Sequence, residues 1–373
     1  MLAAECRELG FNVLATERGA VAIAPGAGAM ERANLELRTA SRVLVRAAEF
    51  GARLMPELER HGRRVPWERF LQPGATIRFR VTSRKSRLYH QGAIEERLAA
   101  AACAAVGAVM ASGGDDPDDD APAAGEPQLI VVRVMRDRFT VSFDSSGDLL
   151  HRRGYRLAGA KAPLRETLAA AMLRTSGWDG RAPLVDPFCG SGTIPLEAAL
   201  IARRIAPGLH RRFAFERWPG FDGDRWRSLV ADARDRILPR ARGPILGFDR
   251  DAGSVAAARA NAERAGVAAD VRFEARAISA LPPPGEPGHL VTNPPYGIRM
   301  GDRRSLRNLF ARFGAVAAER CPESTLTVLL AAPEHRYAIG LPLADRFQTT
   351  SGGVVVRCVS GPIGPQASEP PPA

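Results

Sequence analysis

Between Leu184 and Leu200 the chain reads Leu-Val-Asp-Pro-Phe-Cys-Gly-Ser-Gly-Thr-Ile-Pro-Leu-Glu-Ala-Ala-Leu, a short apolar run, a glycine turn and a helical pattern. Gly190 and Gly192 carry no Cβ, so the backbone there can turn sharply and let a ligand approach closely. The helix that opens at Thr193 directs unpaired N–H groups towards the same place. Asp186, at the carboxyl end of the strand, adds an acceptor. A dinucleotide-binding loop needs a third glycine, as in Gly-x-Gly-x-x-Gly, but the residue three after Gly192 is Pro195, which argues against that reading.

A second stretch, His289-Leu290-Val291-Thr292-Asn293-Pro294-Pro295-Tyr296-Gly297, lies well downstream. Taken together, in this order and spacing, the two stretches resemble motifs I and IV of the class I S-adenosylmethionine-dependent methyltransferases, in the form that methylates exocyclic amino nitrogens. The resemblance implies that Asp186, Phe188, Cys189, Gly190, Ser191, Gly192 and Thr193 form a cofactor loop, and that Asn293, Pro294, Pro295 and Tyr296 form the catalytic turn.

These residues need a scaffold, and the composition allows one. At 373 residues and 45% hydrophobic content, the chain suits a soluble globular protein of two or three compact units. Lys+Arg minus Asp+Glu is 52 − 41 = +11, which favours a polyanionic partner such as nucleic acid. Lys85 and Lys161 are the only lysines, an arginine bias that genome composition can also produce, so the charge gives modest support. The five cysteines form no Cys-x-x-Cys pair and the six histidines show no ligand spacing, so a reducing cytoplasm and no metal site are expected. The N-terminus lacks an apolar signal core, and the most apolar window, Leu98 to Ala111, is too short to span a bilayer.

The elements follow from periodicity. Two short strands are expected within 11–24, helical spacing over 27–40 and a strand at 43–48. Helical pieces over 54–71 should be broken by Pro56 and Pro66, and a strand over 76–82 should carry its arginines on one face. A helix should run from Gln91 to about Met110. The run from Ser112 to Pro127 is too acidic and proline-rich to bury a core. A hairpin over 129–135 and 139–143 then leads to a connector containing Leu150-His151-Arg152-Arg153-Gly154-Tyr155-Arg156. From Pro163 onwards helices and strands alternate, the pattern of a parallel sheet covered on both faces. Helices are expected at 164–174, 193–204, 252–265 and 305–320, and strands at 184–188, 245–248, 271–275, 290–292 and 326–331. A final hairpin is expected over 346–350 and 354–359. Residues 206–243 form an insert.

With the elements placed, most of the chain resembles the bacterial THUMP-containing guanine-N2 methyltransferases of 23S ribosomal RNA, in their short form with one methyltransferase domain. The signatures are collinear: Tyr89-His90-Gln91-Gly92-Ala93-Ile94-Glu95-Glu96, His151 to Arg156, Ala162-Pro163-Leu164-Arg165-Glu166-Thr167, the two motifs above, and Ala206-Pro207-Gly208-Leu209-His210. The implied fold class is α/β, a Rossmann-like class I methyltransferase domain preceded by an α+β ferredoxin-like/THUMP RNA-binding region. The expected order is a partial ferredoxin-like subdomain at 1–50, a THUMP domain at 51–145 with a disordered acidic loop at 112–127, a connector at 146–163, the methyltransferase domain at 164–361 and a disordered tail at 362–373. The first subdomain is called partial because the family begins with a strand ahead of the first helix, and Met1 falls at that helix. The family usually has an acidic residue after the third strand, where Ala277 stands here, and often a glutamate where Ile298 stands.

Asp249, ending the second strand, is the expected acceptor for the ribose hydroxyls of S-adenosylmethionine, whereas Asp251 sits closer to the following helix and suits its N-terminus. Guanine N2 is a poor nucleophile because its lone pair is delocalised into the ring. Asn293 Oδ1 and the Pro294 carbonyl can hold the amino protons, the prolines stiffen the turn, and Tyr296 can stack on the base. Arg84, Lys85 and Arg87, with Arg152, Arg153 and Arg156, are the expected RNA contacts. Competing readings are a tRNA guanine-N2, adenine-N6 or glutamine-N5 methyltransferase and a non-catalytic RNA-binding ribosome-assembly factor.

Overall fold

The computed structural model describes residues 1–17, 19–111, 127–156, 164–295 and 303–364. Tyr296, Ile298, most of the acidic loop, the end of the connector and most of the expected tail lie outside them.

The chain forms two compact units. One holds residues 2–150 together with 208–232, the other 151–207 together with 233 onwards. The N-terminal unit begins with α1 (Leu2–Glu8), the antiparallel pair β1 (Val13–Glu17) and β2 (Ala20–Ile23), and α2 (Ala29–Glu36). It continues with β3 (Leu44–Gly51), α3 (Met55–Gly62), β4 (Thr76–Arg84), α4 (Gln91–Val106), β5 (Val109–Met110), β6 (Gln128–Met135) and β7 (Arg138–Asp144). The last five strands make one sheet in the order β3-β7-β6-β4-β5, with β4 parallel to β5 and β6. Along β4, Ile77, Phe79 and Val81 point into the core and Arg78 and Arg80 to the other face, as period-two alternation requires.

Two local expectations are corrected. Pro56 does not break a helix but sits in the first turn of α3, where its missing N–H costs nothing. The helix from Gln91 stops at Val106 because Gly107 is left-handed (φ +67°), after which Val109–Met110 pairs with Thr76–Ile77.

The second unit comprises α5 (Glu166–Ser176), β8 (Leu184–Asp186), α6 (Thr193–Ala202), then, beyond α7 (Gly223–Asp235), β9 (Ile245–Asp249), α8 (Ala252–Arg264), β10 (Val271–Ala275), β11 (His289–Thr292), α9 (Arg303–Arg320), β12 (Thr325–Leu330), α10 (Pro333–Ile339), β13 (Ala344–Ser351) and β14 (Val354–Pro362). Its seven strands run β10-β9-β8-β11-β12-β14-β13, parallel except for the closing hairpin. The chain winds outwards from β8 through β9 and β10, then returns to the other side of β8 with β11. The carboxyl ends of β8 and β11 therefore flank a switch point, the place where open α/β sheets bind ligands. Phe310 and Phe313 of α9 pack with Leu290, Leu326 and Val328 beneath it.

α7 and α10 were not foreseen. α7 lies in the insert, and most of the insert does not fold with the domain whose sequence it interrupts: residues 208–232 are part of the N-terminal unit. Phe213, Phe215 and Trp218 lie in the same core as Trp67, Phe139 and Phe143. Arg211 donates to the carbonyls of Asp148 (2.6 Å) and Leu149 (2.8 Å), and Trp218 Nε1 donates to Gln128 Oε1 at 2.8 Å. Among the described residues no helix is long and apolar enough to cross a membrane.

Candidate active site

The glycine loop closes on itself after β8. Phe188 N–H donates to Asp186 Oδ1 (3.1 Å), Cys189 N–H to the Phe248 carbonyl (2.8 Å), and Gly190 N–H to Asp249 Oδ2 (2.9 Å). Gly190 and Gly192 are left-handed, at φ +52° and +87°, a conformation that favours glycine. Their roles differ. A Cβ on Gly192 would come within 2.9 Å of the Phe273 ring and 3.0 Å of Ala258, whereas one on Gly190 would meet nothing within 4 Å. Gly192 thus lets α6 and α8 close together, and Gly190 borders open space. No side chain caps the N-terminus of α6.

The acidic residues also separate. Asp251 is spent as the cap of α8, accepting from Ser254 N–H at 2.9 Å and Ser254 Oγ at 2.7 Å. Asp249 stands at the end of β9, where its oxygens accept the Gly190 and Asp251 amides and retain lone pairs. Asp186 is 1% exposed, so it is shielded from solvent rather than displayed to it. Its Oδ1 accepts the Thr292 hydroxyl at 2.6 Å. Burial, reinforced by the charge of Asp249, pushes its carboxyl up to about 7 against the donations from Thr292 and Phe188. Burial and the two carboxylates raise the Cys189 thiol far above its ordinary range, so it stays neutral, as packing requires and an attacking thiol would not. Phe188 packs edge-on against Phe313, ring centroids 5.4 Å apart.

Asn293 is half-buried at the end of β11, Pro294 is buried and Pro295 exposed. Cofactor loop and Asn-Pro-Pro turn thus leave adjacent strands at the same end of the sheet. A groove of about 570 Å³ between α8 and β10, lined by Arg259, Glu263, Arg272, Phe273 and Glu274, holds none of the loop residues. Among the described residues no cluster has metal-ligand composition.

Burial corrects two of the expected RNA contacts. Arg153 and Glu197 pair at 3.4 Å with side chains 2% and 0% exposed. Arg156 pairs with Glu166 at 3.4 Å and reaches Thr193 Oγ1 at 2.5 Å. Arg264 donates to the Tyr155 carbonyl and to Asn261, whose amide donates to the Ser191 carbonyl at 3.0 Å. Arg153 is therefore enclosed against α6, while Arg156, its side chain 16% exposed, ties Glu166 of α5 to Thr193 at the start of α6. Arg152 remains half-buried.

Burial also pushes Glu166 up to about 7, although Arg156 opposes it. The folded state then holds a proton that the unfolded chain releases near its ordinary carboxyl range. This contribution is present at acid pH and lost as pH rises towards 7. Glu166→Gln should abolish it. Between pH 5 and 8 the wild type should lose on the order of 3 kcal/mol more stability than the variant, read by urea unfolding; parallel pH profiles would contradict this.

In the N-terminal unit, the sequence cluster Arg84, Lys85 and Arg87 is joined by residues distant in the chain. Asp137, in the β6–β7 turn, accepts Arg87 N–H at 2.7 Å and Arg53 Nε at 3.1 Å. Arg136 N–H donates to the Arg84 carbonyl at 3.2 Å. Exposed Arg53, Arg84, Lys85, Arg87, Arg136 and Arg138 thus gather at one end of the sheet, near Tyr89, itself 65% exposed. Arg53 and Arg136 escaped the sequence reading because strand pairing, not chain proximity, brings them there.

A seven-stranded sheet with its closing hairpin, the glycine loop at the switch point and a carboxylate, Asp249, at the end of β9 define a class I methyltransferase that uses S-adenosylmethionine. A family model described as the RMKL-like methyltransferase domain matches residues 153–339, and one described as the RlmL ferredoxin-like domain matches residues 1–44. The chain belongs to this RMKL-like methyltransferase family. A putative RNA methyltransferase of Synechocystis sp. is 32% identical over 94% of this chain and 91% of its own length. The ribosomal RNA large subunit methyltransferase K/L of Syntrophotalea carbinolica is 35% identical over 98% of this chain, which spans only 52% of that relative. Among solved structures, SMU.472, a putative methyltransferase complexed with SAH, aligns at TM-score 0.82 and 28% identity, covering 98% of this chain and 95% of that one. A predicted N6-adenine-specific DNA methylase from Listeria monocytogenes aligns at TM-score 0.81 and 30% identity, covering 98% and 93%.

Asp249→Ala should weaken binding of S-adenosylmethionine by about 1.5–3 kcal/mol through loss of a charged acceptor. Calorimetric titration reads this directly, and an unchanged dissociation constant would move the ribose contact elsewhere.

Proposed function

We propose that the protein transfers a methyl group from S-adenosylmethionine to the exocyclic N2 of a guanosine in 23S ribosomal RNA. The observation that carries the reading is the juxtaposition of Asn293 and Pro294, at the end of β11, with the cofactor loop at the end of β8. The K/L relatives, ribosomal RNA methyltransferases by name, supply the substrate class. The guanine N2 assignment rests on the resemblance of the motifs.

When bound, S-adenosylmethionine supplies an electrophilic methyl group on a sulfonium. The protein's task is to aim the amine at it. Asn293 Oδ1 and the Pro294 carbonyl accept the two amino protons and turn the nitrogen lone pair out of conjugation. Proline at 294 and 295 removes competing N–H donors and restrains the turn. The motif resemblance assigns to Tyr296 the role of stacking on the extruded base. Methylation makes N2 cationic and strongly acidic, so its proton leaves to solvent without a dedicated base. Asp249 holds the ribose, and Gly190, Ser191 and the amides opening α6 receive the remainder of the cofactor.

Residues 51–145 act as the THUMP domain that holds the RNA, with the basic end of its sheet as the phosphate-contacting surface. The decisive test is mass spectrometry of 23S RNA nucleosides from a deletion strain. Loss of N2-methylguanosine is expected; loss of N6-methyladenosine, or no change, would overturn the assignment. For the docking surface, changing Arg84, Lys85 and Arg87 to alanine should weaken RNA binding across sequences and flatten its salt dependence by about two units of slope, at about 0.7 per lost phosphate contact. An unaltered slope would mean that these side chains only face water.

A further inference from the structure

We infer that Thr292 is a positioning residue that locks the acceptor-binding turn to the cofactor loop through Asp186. The inference rests on the methyl-transfer reading above, and the side chain has no assigned role in it. β8 and β11 are parallel neighbours whose register runs His289↔Leu184 and Leu290↔Val185, and there their ladder ends. On its other side β11 stays paired with β12 as far as Thr292↔Val328. The two strands that carry the reaction's halves thus diverge just before the cofactor loop begins. Beyond that point Asp186 Oδ1 bridges the two strands: it accepts Phe188 N–H at the start of the loop (3.1 Å) and the Thr292 hydroxyl (2.6 Å) immediately before Asn293.

Both side chains are buried, Asp186 at 1% and Thr292 at 0% exposure, so water does not compete for the bond. A buried carboxylate stripped of a donor is costly, which gives the contact a strong preference for one geometry. Asn293 follows Thr292 directly, and Pro294 restrains Asn293 in turn. An error in the Thr292 backbone is therefore passed to the Asn293 oxygen. Methyl transfer needs donor and acceptor aligned to a fraction of an ångström, and misplacement by 1 Å can cost a hundredfold in rate. Threonine suits the position for a specific reason: its methyl packs like that of valine while its hydroxyl supplies the donor.

Thr292→Val and Thr292→Ser in the full chain separate the hydroxyl from the shape. Thr292→Val should lower kcat by about 10- to 100-fold while the KM for S-adenosylmethionine moves less than about threefold. Thr292→Ser should recover kcat to within about threefold of wild type. A second readout is independent of the acceptor. In hydrogen-exchange mass spectrometry, S-adenosylhomocysteine should slow exchange in wild type both around 186–192 and around 290–293. In Thr292→Val the protection should persist at 186–192 but vanish at 290–293, and in Thr292→Ser both should remain. Retained protection at 290–293 in Thr292→Val, wild-type kcat in that variant, or no rescue by serine would overturn the inference. If the wild type methylates no RNA, the proposed function fails, and the exchange experiment still decides the role of Thr292.

Discussion

Asn293→Ala should reduce methyl transfer by at least about 10² to 10³, while the dissociation constant for S-adenosylmethionine stays within a few-fold. The magnitude follows the loss of a preorganised polar contact at the reacting group in other acyl- and group-transfer sites. The selectivity follows from position. Asn293 directly follows β11, on the opposite side of β8 from β9, which ends at Asp249. A contact made to the acceptor amine alone is a contact that cofactor binding does not use. Tritium transfer from labelled S-adenosylmethionine into ribosomal RNA, alongside calorimetric titration of the cofactor, separates the two quantities. Equal loss of both would remove Asn293 from the acceptor site and make it part of the cofactor cradle. Asp249→Ala should show the converse pattern, so the two variants form a matched pair.

A chain ending at Leu150 should fail to fold, although it contains every strand of the N-terminal sheet. Its core would lack Phe213, Phe215 and Trp218, which lie among the buried residues of that unit at 4%, 1% and 8% exposure. Phe215 sits between Phe213, Phe221 and Trp226, with ring centroids 5.2 to 5.9 Å apart, and Trp218 packs edge-on against Phe70 at 5.0 Å. Burial of each such side chain contributes about 1.5–3 kcal/mol, and three of them outweigh a good part of a small domain's net stability. The carbonyls of Ser146, Asp148 and Leu149 would also lose Arg211. Circular dichroism and urea titration of the fragment should show no cooperative transition, and a separately supplied peptide covering 208–232 should restore one. In the full chain, Phe215→Ala should cost about 3–5 kcal/mol. A fragment 1–150 that unfolds cooperatively without the peptide would show that the insert only decorates a self-sufficient core.

The sequence by itself determined the stretches to which the chemistry is assigned and the order in which they come. The Asp-Pro-Phe-Cys-Gly-Ser-Gly-Thr turn is legible because a left-handed backbone at 190 and 192 favours glycine there. Asn-Pro-Pro is legible because proline removes donors and restrains its neighbour, both local effects. The strand and helix alternation from Pro163 onwards shows each element's faces, and the switch from five parallel strands to a closing hairpin follows from it. Local periodicity does not show which face meets which. Arg153 and Arg156 look like solvated cations in sequence and become internal braces only because Glu197, 44 residues after Arg153, and Glu166 are brought against them by α5 and α6. Residues 208–232 interrupt one domain in sequence and complete the core of another in space. Their aromatic residues carry no local mark of the partner they bury against. Arg53 and Arg136 join the basic cluster through the pairing of β3 with β7 and of β4 with β6. The hydroxyl of Thr292 acquires a role because β8 and β11 end side by side. Tertiary structure alone decided these points, because burial and pairing depend on what the rest of the chain places opposite a residue, and no window along the sequence contains that information.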